Sequence, residues 1–124
     1  MNPADLFAHE ENPVILATGE TLFHTGDAAD AMYVVLEGSL NVLVGDKIVE
    51  NSQRGAILGE MALVDNAPRG ATVVAAEACK LSKVDQHRFQ RLIQQNPFFA
   101  THVMKELVER IRSMNKLLAG EKTS

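Results

Sequence analysis

Short apolar and β-branched runs, separated by glycines, fill the first two-thirds of the chain. Seven of the eight glycines fall between Gly19 and Gly70, at spacings of 4 to 12 residues. Short alternating runs between such turn residues are typical of a β-sandwich or barrel. The Gly45-Asp46 pair predicts a tight hairpin turn within this region. The predicted strands are Val14–Thr18, Thr21–Thr25, Met32–Leu36, Ser39–Val44, Lys47–Glu50, Ala71–Ala76 and Lys80–Val84.

The hydrophobic period becomes helical in the last third of the chain. Asp85 is a good N-cap for a helix that continues through Gln95. Asn96-Pro97 ends this helix, and the proline suits the first turn of a longer helix that runs to about Leu118. One face of the first helix carries Phe89, Leu92 and Ile93.

Together these elements predict a mostly β chain with flanking helices. The expected architecture is one domain of residues 1–124, with no internal repeat or linker. An antiparallel, jelly-roll-like β-roll would cover about residues 14–84, and two C-terminal helices would cover about 85–118. A short helix over Pro3–Glu11 would precede the roll.

The second predicted helix carries a wide apolar stripe. Its apolar residues recur every three or four positions, which places them on one face. A helix that covers a roll and a helix that pairs with a second copy both need such a face. The stripe therefore predicts packing on the β-roll, a homodimer seam, or both. It consists of Val103, Leu107, Ile111, Met114 and Leu118, widened by Met104, Val108 and Leu117.

Charge is unevenly distributed along the chain. Residues 1–79 carry a net charge of −9 and residues 80–124 a net charge of +5, which sum to −4. A negative net charge argues against binding to duplex DNA. The basic part indicates either an anionic partner or solvated helix faces that carry Lys and Arg, and the second interpretation is preferred. No run of 18 apolar residues occurs, so we expect no membrane-spanning helix, and we do not expect secretion. The lone Cys79 fits a reducing, cytoplasmic compartment.

The segment from Gly59 to Thr72 has the chemistry of an anion cradle. Gly59 permits close approach of the backbone, and the next four residues can form a helical turn whose N–H groups point at an anion. Arg69 offers a planar fork of donors that suits a phosphate. The small pair Gly70-Ala71 lets backbone N–H groups reach the same phosphate. With Glu60 nine positions before the arginine, the segment can recognise a sugar hydroxyl and a phosphate together.

This segment resembles the phosphate-binding cassette of cyclic-nucleotide-binding domains, whose usual form is Gly-Glu-x-Ala-Leu, a short spacer and Pro-Arg-small-Ala-Thr. The chain has Gly59-Glu60-Met61-Ala62-Leu63 and Pro68-Arg69-Gly70-Ala71-Thr72. A second stretch, Gly26-Asp27-x-x-Asp30-x-Met32-Tyr33-Val34-Val35-x-x-Gly38, is similar to the strand-turn-strand that opens these domains. The resemblance covers roughly residues 14–118, and two spaced motifs in the right order make it specific.

The resemblance implies roles for the cassette residues. Glu60 would accept a hydrogen bond from the ribose 2′-OH, and Arg69 would pair with the exocyclic oxygens of the cyclic phosphate. Gly59 would keep the backbone close to the ligand. The cradle would be completed by backbone N–H groups near Met61, Ala62, Gly70 and Ala71.

The resemblance also implies where the base binds. The base would lie against Val42 and Val49 of the roll. The last helix would close over it as a lid, with Arg110, Met114 and Asn115 nearby, and Asn115 as the polar contact.

Two departures from the family pattern refine the expected ligand and partners. Gly70 stands where the family usually has Ala, Ser or Thr, and a Thr there often contacts guanine in members that prefer cyclic GMP. The glycine therefore favours cyclic AMP over cyclic GMP. Related gene regulators continue into a helix-turn-helix domain, whereas this chain stops at Ser124. No DNA partner is therefore expected.

The leading interpretation is a stand-alone, non-catalytic sensor. It would bind a cyclic nucleotide and signal to an unidentified downstream protein through movement of its last helix. The alternative is a protein-interaction module of the same fold that binds no nucleotide, with Glu60 and Arg69 in an internal ion pair. The four histidines lack metal-ligand spacing and no cysteine cluster accompanies them, so no metal, cofactor or enzymatic activity is expected.

Overall fold

The computed structural model describes residues 2–63 and 67–118, with only the backbone of Met61 and Leu117. Within these ranges the chain forms two four-stranded antiparallel sheets followed by two helices. The strands are β1 (Val14–Leu16), β2 (Thr21–Phe23), β3 (Ala31–Glu37), β4 (Leu40–Val44), β5 (Lys47–Ser52), β6 (Ile57–Leu58), β7 (Thr72–Ala75) and β8 (Cys79–Asp85). The helices are α1 (Gln86–Gln95) and α2 (Pro97–Leu118).

The two sheets have the strand orders β1-β8-β3-β6 and β2-β7-β4-β5. This arrangement confirms the predicted β-roll with two C-terminal helices. The sequence missed β6, because a strand of two residues is too short to show a period. The predicted turn at Gly45-Asp46 is present and brings Val44 opposite Lys47.

Local signals set the starts of the helices. The side chain of Asp85 accepts a hydrogen bond from the backbone N–H of Arg88 at 2.8 Å, so it is the N-cap that the sequence predicts. Pro97 is the first residue of α2. At the other end of the chain, Pro3–Phe7 forms a 3₁₀ turn that is shorter than the predicted helix. We call this element the N-terminal turn.

Strand β3 separates two hydrophobic cores, because its side chains alternate between its two faces. Tyr33 and Val35 point into the core between the two sheets. Met32 and Val34 point into a second core beneath the N-terminal turn and the two helices. The second core also contains Phe7, Ile57, Val84, Phe99 and Val103.

Helix α2 covers the roll over only part of its length. Phe99 and Val103 are buried, and Leu107 packs against the second core. Further along, Ile111 and Leu118 are 58% and 81% exposed. The predicted stripe therefore packs on the roll in its first half and faces solvent in its second, while the side chain of Leu117 lies outside the described residues. In the described part of the chain, no helix is long and apolar enough to cross a membrane.

Cys79 lies at the start of β8 inside the core between the sheets. It is 4% exposed, and its Sγ donates to the backbone oxygens of Ser39 and Glu77 at 3.1 and 3.0 Å. Burial raises the pKa of its thiol above the ordinary value. Cys79 is therefore a buried packing residue, in agreement with the apolar setting of its strand.

Candidate functional site

The predicted helical turn after Gly59 is present as a short 3₁₀ helix over Glu60–Leu63, which we call the site turn. Gly59 has a φ of +74°, a conformation that favours glycine. A Cβ at this position would lie 2.3 Å from Nη1 of Arg69. Gly59 is therefore required both by its backbone and by the arginine packed against it.

Arg69 is buried, at 7% exposure, and lies against two aromatic rings. Its guanidinium carbon is 4.1 Å from the ring centroid of Phe23 and 5.9 Å from that of Tyr33. Nη1 donates to the backbone oxygen of Gly59 at 3.2 Å, and Nη2 donates to that of Ala31 at 2.7 Å. Its Nε is buried and has no hydrogen-bond partner among residues 2–63 and 67–118. Burial lowers the pKa of this guanidinium, although nearby carboxylates and Tyr33 oppose the change.

The backbone around Arg69 is fixed to the loop that follows β2. The N–H of Arg69 donates to the oxygen of Asp27 at 2.9 Å, and the N–H of Gly26 donates to the oxygen of Arg69 at 2.8 Å. Thr72 Oγ1 accepts from the backbone of Thr25 at 3.0 Å. Hydrogen bonds therefore join the segment that contains Gly26-Asp27 to the cassette.

Glu60 is also buried, at 5% exposure, and it pairs with an arginine of α2. Nη1 of Arg110 donates to Oε1 of Glu60. The same guanidinium reaches Glu50 at 3.3 Å, Glu106 at 3.7 Å and the backbone oxygen of Ile57. Arg110 thus ties α2 to the site turn and to β5.

The internal ion pair between Glu60 and Arg69, which belongs only to the interaction-module alternative, is not formed between these two described residues. Glu60 pairs with Arg110, and Arg69 donates to the backbone oxygens of Gly59 and Ala31. Both side chains flank one glycine, yet each has its own partner. The sequence could not reveal the Arg110 contact, because 50 positions separate the two residues.

The other predicted cradle residues are close in sequence to Glu60 or Arg69. Gly70 is exposed and Ala71 is half-buried beside the buried Arg69. The N–H of Ala62 donates to the oxygen of Gly59 at 3.1 Å, which closes the site turn. The backbone of Met61 belongs to the same turn, and its side chain lies outside the described residues.

The residues predicted to hold the base are less closely grouped. Val42 is partly buried against the core between the sheets. Val49 is the extra residue of a β-bulge, because Val42 lies opposite Glu50 while the next residue lies opposite Ile48, and Val49 is 50% exposed. Met114 is 60% exposed, and Asn115 is exposed one turn beyond Arg110.

Sequence reasoning missed three contributors to the site. Phe23 stacks on Arg69, and Glu50 and Glu106 contact Arg110. Only Glu106 had a local signal, since it precedes Arg110 by four helical positions. Contacts between distant elements, such as that of β5 with α2, leave no such periodic trace.

These side chains suit recognition of a polar anion. The site presents a buried carboxylate, that of Glu60, and a buried guanidinium, that of Arg69, which packs against Gly59. A carboxylate accepts from hydroxyl groups, and a guanidinium donates to phosphate oxygens. Within residues 2–63 and 67–118, no group of three or more His, Cys, Asp or Glu could hold a metal ion.

The sequence matches one protein family and is similar to two curated proteins. Residues 13–96 match the family described as "Cyclic nucleotide-binding domain". The chain is 32% identical over 122 residues to a cAMP-dependent protein kinase regulatory subunit of Hypocrea atroviridis, covering 88% of this chain and 26% of that protein. It is 29% identical over 106 residues to the cAMP-activated global transcriptional regulator CRP of Pasteurella multocida (strain Pm70), covering 81% of this chain and 51% of that protein.

A solved structure of Thermus thermophilus catabolite activator protein has the same fold. It superposes with a TM-score of 0.77 at 24% identity, covering 92% of this chain and 61% of that one. The chain spans about a quarter and about half of the lengths of the two curated relatives. The family match itself extends over more than half of the chain. The chain therefore belongs to the cyclic nucleotide-binding domain family.

Proposed function

We propose that this chain is a non-catalytic sensor that binds a cyclic nucleotide, with cyclic AMP preferred to cyclic GMP. The observation that carries the proposal is Arg69, a buried guanidinium whose Nε has no partner in the part of the chain that the structure describes. The neighbouring Glu60 supplies a buried carboxylate. The two curated relatives are named for their dependence on, or activation by, cAMP.

The unpartnered Nε supports a ligand with acceptor oxygens. A buried donor without a partner costs about 1–3 kcal/mol, and the two Nη atoms of Arg69 already donate to backbone oxygens. A cyclic phosphate offers exocyclic oxygens to the remaining donors. Phe23 and Tyr33 lie near the guanidinium carbon, and the two backbone acceptors also hold the group, so its donors are positioned before the ligand arrives.

Calorimetric titration with cyclic AMP, cyclic GMP and linear AMP tests the proposal. Arg69→Ala should weaken cyclic AMP binding by about 2–5 kcal/mol, and Arg69→Lys should weaken it too, because an ammonium is a point charge without the fork. Arg54→Ala is the matched control, since Arg54 is half exposed and pairs with Asp5 at 2.7 Å. Unchanged affinity in a folded Arg69→Ala protein contradicts the assignment. A folded wild-type chain that binds no nucleotide supports the interaction-module alternative.

The preference for cyclic AMP rests on Gly70. A Cβ added there meets no atom of the described residues within 4 Å, so a larger residue is not blocked at its first side-chain carbon. Gly70→Thr should shift the ratio of the two dissociation constants towards cyclic GMP, by the worth of one hydrogen bond, about 0.5–1.5 kcal/mol. Gly70→Ala adds a side chain without a hydroxyl and should leave the ratio unchanged. Equal affinities of the wild-type chain for the two nucleotides refute the preference.

Movement of α2 is the proposed signal. Its exposed second half includes Met114 and Asn115, which would contact the base if the helix moved towards the roll. A ligand shifts a helix by binding one position of it more tightly than the other. Cyclic AMP should slow amide exchange in residues 111–118, and truncation before Arg112 should weaken binding. Protection confined to residues 59–72, with affinity unchanged by truncation, indicates that the helix is a static cover.

A second copy of the chain is the proposed partner for the exposed side of α2. Met104, Val108 and Ile111 are 58%, 43% and 58% exposed, and their spacing of four and three positions is that of a helix-pairing seam. Light scattering should show a dimer, and Val108→Asp should convert it to a monomer. Ser113→Asp, at an exposed position on the opposite side of the helix, controls for the added negative charge. A wild-type monomer at high concentration rules this partner out.

A further inference from the structure

We infer that Phe23 is a positioning residue, which orients the guanidinium of Arg69 so that it binds one exocyclic oxygen of the cyclic phosphate in preference to the other. This inference rests on the proposed nucleotide-binding function. The ring acts through Arg69 and need not touch the ligand. Its substitution should therefore change how precisely the phosphate is recognised.

An irregularity in the sheet sets the position of Phe23. Thr21 of β2 lies opposite Val74, and Phe23 lies opposite Val73, so two steps along β2 match one step along β7. Such a bulge changes the direction of the side chains next to it. Phe23 packs against the core between the sheets, where Val73 is 2% exposed.

The ring of Phe23 is the closer of two aromatic contacts of Arg69. The guanidinium carbon lies 4.1 Å from its centroid and 5.9 Å from that of Tyr33. The two rings also meet each other, with centroids 6.2 Å apart. Attraction between a cation and a ring face is strongest where water is excluded, and Arg69 is only 7% exposed. Phe23 therefore makes the stronger contact, and Tyr33 supports its ring.

A ring orients a guanidinium without using its N–H donors. A carboxylate would accept parallel hydrogen bonds from the group and offset its charge. Among residues 2–63 and 67–118, no carboxylate forms an ion pair with Arg69. Only the backbone oxygens of Gly59 and Ala31 accept from its Nη atoms in these ranges, and Nε has no partner there. The charge and the remaining donors therefore stay available to a phosphate.

Backbone hydrogen bonds fix the segment that carries the ring to the segment that carries the arginine. Beyond Phe23, the N–H of Thr25 donates to Oγ1 of Thr72 at 3.0 Å. The N–H of Gly26 donates to the backbone oxygen of Arg69 at 2.8 Å. A shift of Phe23 relative to Arg69 would strain both bonds, so the ring and the guanidinium keep one relative position.

The two diastereomers of adenosine 3′,5′-cyclic phosphorothioate test this inference. In each of them sulfur replaces a different exocyclic oxygen, and sulfur is the weaker acceptor. The wild-type chain should bind one diastereomer about tenfold more tightly, because they differ in a hydrogen bond from a charged donor. Phe23→Leu keeps an apolar side chain without a ring face, and should reduce this ratio to within about threefold of one. Phe23→Tyr keeps the ring and should keep the ratio.

Phe89→Leu is the matched control. Phe89 is half-buried like Phe23, but it packs against the second core, where it meets Phe99. The control variant loses the same ring and should keep the wild-type ratio. If Phe23→Leu does not fold, Phe23→Met also lacks a ring and takes its place.

Each outcome has one meaning. A variant that merely loosens the fold weakens both diastereomers equally, so a wild-type ratio in folded Phe23→Leu or Phe23→Met overturns the inference. A ratio lost equally in Phe23→Tyr, or in Phe89→Leu, also overturns it, because the ring beside Arg69 is then not the cause. A wild-type chain that binds cyclic AMP but does not distinguish the diastereomers overturns this inference alone. A wild-type chain that binds no cyclic nucleotide removes the proposed function itself.

Discussion

At the residue scale, Gly59 is a position where a Cβ would collide with the site arginine, Arg69. Its φ of +74° is unfavourable for any other residue, and a Cβ would lie 2.3 Å from Nη1 of Arg69. Gly45 has a comparable φ of +62°, but a Cβ there meets nothing within 4 Å. The two glycines therefore separate the cost of the backbone conformation from the cost of crowding the arginine.

Gly59→Ala should lower both stability and nucleotide affinity. Gly45→Ala has only the left-handed backbone cost, about 1–2 kcal/mol, and should leave affinity unchanged. Gly59→Ala adds a steric cost of about 1–3 kcal/mol and displaces Arg69. Urea unfolding and calorimetry on both variants measure the two effects. Equal stabilities and equal affinities for the two variants contradict the argument.

The sequence predicted individual residues well where a motif was local. Gly59 and the turn over Glu60–Leu63 follow from a short contiguous pattern, and the structure has both. The partner of Glu60 was assigned wrongly in the ion-pair alternative, because the choice between Arg69 and Arg110 depends on how α2 packs. Local sequence carries the shape of the turn but not the identity of a counter-ion from another element.

At the element scale, neighbouring phenylalanines show how α2 is attached to the roll. Phe99 is 1% exposed and meets Phe7 and Phe89 edge-on, with ring centroids 6.1 Å away in both cases. Phe98 is 72% exposed. Phe99 therefore joins three helical elements, the N-terminal turn, α1 and α2, in one aromatic cluster.

Phe99→Ala should destabilise the chain by about 3–5 kcal/mol, since it opens a cavity in the second core. Phe98→Ala removes the same side chain from an exposed position and should change stability by less than about 0.5 kcal/mol. Thermal or urea unfolding of the pair measures the difference. Similar losses in both variants show that α2 is not anchored through Phe99.

Helical periodicity predicted that α2 exists but not how far it packs. The stripe from Val103 to Leu118 is continuous in sequence, yet its burial ends near Leu107. A period reports which side of a helix is apolar. The length of the surface beneath the helix decides how much of that side is covered, and that surface is built from strands far away in the chain.

At the scale of the whole molecule, two glutamates change the free energy of unfolding in opposite directions as the pH falls. Burial raises the pKa of Glu10, but hydrogen bonds from Ser82, Arg88 and Asn12 outweigh it and bring the pKa below the ordinary 4.5. Burial raises the pKa of Glu106 above 4.5, against the lowering effect of His102. The folded chain therefore binds fewer protons at Glu10, and more at Glu106, than the unfolded chain does.

These shifts predict a two-phase pH profile of the free energy of unfolding. As pH falls towards 4.5 from above, Glu106 takes up a proton in the folded state first and adds stability. Below 4.5, Glu10 is protonated first in the unfolded state, so the stability that it contributes is lost as pH falls through its folded pKa. Urea unfolding at a series of pH values, with Glu10→Gln and Glu106→Gln, measures each part.

Glu10→Gln should flatten the loss of stability below pH 4.5, the ordinary pKa of that group. Glu106→Gln should remove the gain in stability that occurs as pH falls towards 4.5, the ordinary pKa of Glu106. Each variant serves as the control for the other, because each should leave the other half of its profile intact. A single variant that changes both halves equally contradicts the assignment.

The buried thiol of Cys79 can be used to measure how often the folded chain opens and exposes β8. It is the chain's one cysteine, and it lies in the core between the sheets at 4% exposure. Thiol reagents attack the thiolate, so labelling requires both exposure of this strand and release of the proton that burial retains. The labelling rate then follows the open population, and a bound nucleotide should slow it by the factor 1 + [L]/Kd. Ligand affinity and global stability can thus be read from the unmodified chain, with one covalent mark per molecule.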